Sequence, residues 1–197
     1  MKIGLYFGTF NPVHIGHLAI ANYMLEFTEL DRVWFIISPQ SPFKQKQNLL
    51  DNYQRLEMVY RAIDGNHHYK ASDIEFKLPI PSYTVDTLAH LTEQHTEHEF
   101  YLIMGEDNLQ YLHKWKNYEV ILKHHHIIAY PRPGSHTPVE FQNHPHIQKV
   151  DAPLMELSSS FIRNAIAEGK DVQHFLPHET WKYLSEMNFY KYRQAQF

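Results

Sequence analysis

The sequence predicts an α/β fold: a doubly wound, mostly parallel sheet with helices on both faces and a small helical segment at the C-terminal end. Three observations predict it. Strand-like and helix-like patterns alternate along the whole chain. The strand-like stretches are continuous apolar runs, as in strands covered on both faces. No repeat or flexible linker interrupts the 197 residues, a length that suits one domain over 1–197 with its helical C-terminal part from about residue 158.

Lys2–Phe7 is a short apolar run and predicts the first buried strand. Leu18–Leu30 predicts the first helix, with Leu18, Ala21 and Leu25 on one stripe and Ile20, Met24 and Phe27 beside it. Val33–Ile37 is a second buried strand, stopped by Ser38-Pro39. The polar stretch Gln40–Asn52 carries Lys44 and Lys46 and reads as a loop over a pocket. Leu56, Val59, Tyr60 and Ile63 make a helix of Tyr53–Ile63. Ile74 and Phe76 alternate with polar neighbours and predict a third strand, ended by Pro79-Ile80-Pro81. Ser82–Thr87 opens a helix in which Val85, Leu88 and Leu91 share a face.

Phe100–Met104 is the central strand and runs into Gly105-Glu106-Asp107. Helices are expected at Asn108–His113 and Tyr118–Leu122, with Trp115 between them. Ile127–Tyr130 is a fifth strand, halted by Pro131-Arg132-Pro133-Gly134, and a weak strand falls near Ile147–Val150. Ser158-Ser159-Ser160 caps a helix that ends at Gly169, and Pro177 starts a last helix with Trp181 and Leu184.

Composition narrows the function classes. A net charge of −4 argues against nucleic acid as the main partner. No run of about 18 apolar residues is present, so no membrane span is expected. The chain enters a strand without a signal-peptide pattern and has no cysteine, which suits a cytoplasmic protein. Histidine is abundant at 16, but His67-His68 and His124-His125-His126 lack partners at zinc-site spacing. The sequence leaves a homo-oligomer open.

The chemistry gathers in Gly8-Thr9-Phe10-Asn11-Pro12-Val13-His14-Ile15-Gly16-His17. A strand, a glycine-bearing turn and a helix start follow one another here, so free N–H groups and the helix dipole form an anion site. His14 and His17 share a face of the first helical turn, and Gly16 between them lets a ligand approach the backbone. The placement suits a polyphosphate. G-x-x-x-x-G-K-S/T, the protein-kinase loop motifs and G-x-S-x-G are all missing. Adenylyl transfer to a phosphate monoester needs none of them: a dianionic phosphate is already a nucleophile, and the protein must align it and stabilise pyrophosphate. Ser158–Arg163 has the same logic, with hydroxyls and amides at a helix start and a guanidinium one turn in.

The first segment resembles the G-x-F-x-P-x-H-x-G-H signature of the nucleotidyltransferase superfamily, whose sheet is Rossmann-like. Leu157-Ser158-Ser159-Ser160-Phe161-Ile162-Arg163 is similar to its I-S-S-T-x-I-R signature. Ser82-Tyr83-Thr84-x-Asp86-Thr87-Leu88, Gly105–Leu109, Trp115, Arg132-Pro133-Gly134 and Leu176-Pro177 further resemble bacterial nicotinate-nucleotide adenylyltransferases. That resemblance implies transfer of the adenylyl group of ATP to nicotinate mononucleotide, giving deamido-NAD and pyrophosphate, with Mg²⁺ on the ATP phosphates and no metal ligand from the protein. It implies His14, His17, Arg163 and Lys44 as catalytic groups. ATP would meet Gly8, Thr9, Phe10, Gly16, Gly105, Asp107, Ser158, Ser159 and Ile162, together with His14, His17 and Arg163. Nicotinate mononucleotide would meet Lys44, Tyr83, Thr84, Trp115 and Arg132. Asn11 stands where the family usually has Asp, Thr9 where Ser or Gly is frequent, and Phe43 where a histidine often precedes the lysine. Other readings are transfer to nicotinamide mononucleotide or phosphopantetheine, a class I tRNA synthetase fragment sharing His14-Ile15-Gly16-His17, and a non-catalytic nucleotide sensor.

Overall fold

The protein is described here by a computed structural model, in which residues 1–39 and 49–191 are described. Six strands, β1 (Lys2–Gly8), β2 (Arg32–Ile37), β3 (Tyr69–Ser72), β4 (Glu99–Gly105), β5 (His126–Tyr130) and β6 (Ile147–Lys149), form one sheet in the order β3-β2-β1-β4-β5-β6. Every pairing is parallel. The helices are α1 (Ile15–Phe27), α2 (Asn52–Ile63), α3 (Thr84–Gln94), α4 (Glu106–Leu109), α5 (Tyr118–His124), α6 (Ser159–Ala167) and α7 (His178–Glu186). Among the described residues, no helix is long and apolar enough to cross a membrane.

Strand β2 shows why the runs are apolar without a break. Val33, Phe35 and Ile37 pack on one side with α1 and α2, while Trp34 and Ile36 pack on the other with α3 and α5. With both faces covered, no position in the strand is left for a polar residue until the edge is reached. A third cluster, built on Ile162, Ile166, Leu176 and Leu184, joins α6 to α7.

The third strand is Tyr69–Ser72, and Ile74–Lys77 is a 3₁₀ turn, which corrects the reading of Ile74 and Phe76 as strand. Residues two apart on a three-residue turn diverge widely. Ile74 accordingly packs into the core on the α3 side and Phe76 onto the α2 side. The first helix begins three residues earlier than Leu18, with His14 as its N-cap, and Phe27 lies outside the core, stacked on Tyr23 at 4.7 Å. The expected helix over Asn108–His113 divides into α4 and a 3₁₀ turn at Leu112–Lys114.

The chain changes face between β3 and β4, so β1 pairs with β2 on one side and with β4 on the other. Connections leave the carboxyl ends of β1 and β4 in opposite directions and open a crevice there, where ligands bind in sheets of this order. β1 ends at Gly8 and β4 at Gly105, so both flank that crevice.

Candidate active site

The turn from β1 into α1 is shaped by one aromatic ring. Phe10 has a left-handed backbone (φ 44°), unusual for a bulky residue. Its ring is 2 % exposed and packs edge-on to Tyr6 (5.8 Å) and His17 (5.1 Å). A Cβ on Gly8 would lie 2.9 Å from that ring, so Gly8 is there to admit Phe10. Burial of the phenyl group offsets the backbone strain.

His14 follows in extended conformation and α1 begins after it. The two imidazoles lie 3.7 Å apart, centroid to centroid. His17 Nδ1 accepts the backbone N–H of His14 at 3.2 Å, which assigns the ring proton to Nε2. His14 is 4 % exposed and its Nδ1 has no hydrogen-bond partner among the described residues. Burial, with a contribution from the Arg132 charge, lowers its pKa to about 4, so His14 is a neutral ring at pH 7. A Cβ on Gly16 would come within 3.0 Å of His14 Nδ1. The room that Gly16 provides is thus taken by His14.

The second segment meets the first directly. Ser158 caps α6, its Oγ accepting the Phe161 N–H at 3.2 Å. Ser159 Oγ donates to the Pro12 carbonyl at 2.9 Å, and Arg163 Nη1 donates to the Asn11 carbonyl at 2.8 Å. Arg163 Nη2 also donates to Ser160 Oγ at 3.1 Å. Gly8, Thr9, Phe10, His14, Gly16, His17, Arg132, Ser158, Ser159 and Arg163 all line one cavity of about 320 Å³. Tyr6 and Tyr130, their hydroxyls 3.3 Å apart, line it as well. The other candidate residues with described positions do not line it. Gly105 and Asp107 flank the cavity through Arg132, whose Nε is 3.8 Å from Asp107 Oδ1, without lining it. Ile162 does not line the cavity either: its side chain is fully buried in the α6–α7 cluster.

Tyr83, Thr84 and Trp115 do not line the histidine cavity. They sit where α3 begins and where the 3₁₀ turn ends, on the face opposite α1. Lys116, the residue after Trp115, holds its ammonium 4.6 Å from the Tyr83 ring and pairs with Asp86 at 2.9 Å. Arg132, expected with that group, instead lies in the cavity with His14. Lys44 and Phe43 fall outside the described residues.

Two residues to which the sequence motifs do not point, Arg55 and Tyr190, hold the turn, the second through Asn11. Arg55 is fully buried, and all five guanidinium N–H groups have acceptors: Leu50 O, Thr9 O, Ser38 O, Pro39 O and Asn52 Oδ1. Burial lowers its pKa to about 10, which leaves it charged at pH 7. Asn11 Oδ1 accepts the Tyr190 hydroxyl at 2.6 Å and the Leu50 N–H at 3.3 Å. One signal was readable: Arg55 falls four residues before Val59, inside the apolar stripe of α2. Nothing in the sequence pointed to Tyr190.

Residues 5–165 match the cytidylyltransferase-like family. A chain from Flavobacterium johnsoniae, named "Probable nicotinate-nucleotide adenylyltransferase", is 58% identical over 192 residues, covering 97% of this chain and 100% of that one. One of the same name from Bacteroides fragilis is 45% identical over 181 residues, covering 92% and 90%. The chain belongs to the nicotinate-nucleotide adenylyltransferase family. Its fold is shared beyond close relatives of that family: nicotinic acid mononucleotide adenylyltransferase of Plasmodium falciparum, complexed with NaAD, superposes with a TM-score of 0.80 at 19% identity, over 96% of this chain and 97% of that one.

Proposed function

We propose that the protein transfers the adenylyl group of ATP to nicotinate mononucleotide, forming deamido-NAD and pyrophosphate. The observation that carries this reading is the meeting of two phosphate-type segments, residues 8–17 and 158–163, around a single cavity. A phosphate oxygen of the mononucleotide attacks the α-phosphorus of ATP. The bond from that phosphorus to the bridging oxygen breaks, and pyrophosphate leaves with the electron pair. A monoester phosphate with a second pKa of about 6 is mostly dianionic at pH 7, so no general base is required.

The protein then supplies alignment and charge stabilisation. His17 Nε2–H donates to a phosphate oxygen, its direction fixed by the Nδ1 contact to the His14 N–H. His14, neutral in the ligand-free protein, contributes hydrogen bonding, and the fixed positive charge comes from Arg132 and Arg163. Lys44 adds to that charge. Mg²⁺ supplies further neutralisation of the triphosphate when bound. No Asp or Glu lines the cavity among the described residues, so the donor set fits an ion carried on the phosphates better than one held by carboxylates. Tyr83, Thr84 and Trp115 receive the nicotinate ring and its carboxylate, since an indole can stack on a cationic pyridinium and a hydroxyl can donate to a carboxylate.

Pyrophosphate release with ATP, Mg²⁺ and nicotinate mononucleotide tests the reading, run beside nicotinamide mononucleotide and phosphopantetheine. Turnover with nicotinate mononucleotide well above the other two is expected; turnover confined to either alternative overturns the substrate assignment. His17→Ala is expected to lower turnover by about 10²-fold or more with unchanged folding, since a preorganised donor to the transition state is lost. A fully active variant would remove His17 from the mechanism.

A further inference from the structure

We propose that His95, Glu97 and His98 form a binding site for a divalent transition-metal ion of the zinc class, remote from the adenylyl-transfer cavity. The three residues occupy the turn that leads from α3 into β4. His95 caps α3, its N–H donating to the Leu91 carbonyl at 2.9 Å, and the His98 N–H donates to the His95 carbonyl at 3.1 Å. That turn brings both imidazoles to one side, 9° from parallel with centroids 5.5 Å apart. Glu97 Oε1 lies 3.3 Å from His98 Nε2 and 3.9 Å from His95 Nδ1, and the three donor atoms all fall within 4.8 Å of one another.

These separations suit a metal. Tetrahedral zinc with bonds of about 2.0–2.1 Å places its ligand atoms about 3.3 Å apart. The His98–Glu97 edge already has that length, and Glu97, whose side chain is 64% exposed, is free to swing and shorten the other. The imidazoles are held from behind, since the Trp34 ring packs edge-on to His95 at 5.2 Å and to His98 at 6.1 Å. The His98 side chain is only 10% exposed, and its Nδ1 has no hydrogen-bond partner among the described residues. The near polar partner of this buried ring is therefore Glu97, at Nε2.

The surroundings favour a cation. The adjoining cavity is lined by four carboxylates (Glu29, Asp31, Glu97 and Glu99) against the Lys2 ammonium and the amino terminus. Two imidazoles and one carboxylate are the donors of zinc and its neighbours rather than of Mg²⁺, which takes oxygen ligands. The turn lies at the amino ends of the strands, since Glu99 pairs with Lys2, whereas the ATP cavity lies at their carboxyl ends. An ion here cannot touch the triphosphate. It ties the end of α3 to the start of β4, and the fourth coordination position is left to water.

Zn²⁺ titration of the full chain in excess Mg²⁺, read by calorimetry and by the thermal midpoint, tests this site. One saturable site and a raised midpoint are expected. His95→Gln and Glu97→Gln should each weaken zinc binding by at least about tenfold, as loss of a ligand exceeds loss of its outer support. His124→Gln with His126→Gln should leave it unchanged. X-ray absorption of the one-to-one complex should show two imidazole nitrogens, and this arm decides if either ligand variant lowers the metal-free midpoint. Zinc affinity that is unaltered by His95→Gln and Glu97→Gln, or abolished by the His124 and His126 changes, overturns the proposal, and so does the absence of saturable binding.

Discussion

Arg55 shows how much a single side chain can organise. It is fully buried, and its five donors meet four backbone carbonyls and one side-chain amide oxygen, with no carboxylate among them. Two of those carbonyls, Thr9 and Ser38, lie at the ends of the neighbouring strands β1 and β2, so one guanidinium ties the turn after β1 to the sheet. A lysine has three donors and no planar fork, so Arg55→Lys leaves at least two buried acceptors unpaired. Each costs about 1–3 kcal/mol, and the variant should lose about 2–6 kcal/mol of stability in urea unfolding. A loss below 0.5 kcal/mol would mean that water reaches this cluster freely.

At the level of elements, segments 8–17 and 158–163 are joined by docking rather than by sequence proximity. The start of α6 bonds through Ser159 and Arg163 to the carbonyls of Pro12 and Asn11, and Tyr190, beyond α7, reaches the Asn11 amide. The C-terminal helices therefore act as a brace for the turn after β1. Asn11, where the resembling family usually has Asp, suits this brace: its neutral amide oxygen accepts the tyrosine hydroxyl without adding a negative charge to the turn. Tyr190→Phe removes that bond and should cost about 1–2 kcal/mol. Because the turn carries the histidines, turnover should fall with it, while the far-UV circular dichroism stays native. Full activity with a lowered thermal midpoint would show that the brace supports the fold alone.

For the whole molecule, the buried His14 links stability to pH. Its folded pKa of about 4 lies below its ordinary value of 6.5. Between those values the unfolded chain holds the extra proton, so stability is full above 6.5 and declines as the pH falls toward 4. The shift corresponds to about 3 kcal/mol. Urea unfolding at pH 7.5 and 4.5 should show this loss in the wild type, and His14→Asn should flatten it by a comparable amount. An unchanged slope in the variant would place the acid sensitivity elsewhere. A bound polyphosphate should protect against it, because a phosphate oxygen favours the charged ring.

What could be read in advance followed from local physics. Continuous apolar runs gave away β1, β2, β4 and β5, because a strand covered on both faces has no polar position to blur the pattern. The histidine turn and the serine cap were legible because bare amides at helix starts and the special backbone between them restrict which residues fit. The third strand escapes such a pattern: four residues are too short to show a period, and the neighbouring 3₁₀ turn imitates alternation. Gly8 and Gly16 stand out in the sequence, but the reason for each lies in its packed neighbour, Phe10 or His14.

The chain alone determined the alternation of strands and helices and the local form of two segments, a histidine-bearing turn before α1 and a serine cap before α6, since each depends on residues within a dozen positions of each other. Only the tertiary structure decided that those segments share one cavity, that Arg132 sides with the histidines, and that Arg55 and Tyr190 hold the turn. Those contacts join residues tens to more than a hundred positions apart, and the hydrogen bonds that make them leave no periodic trace in a sequence.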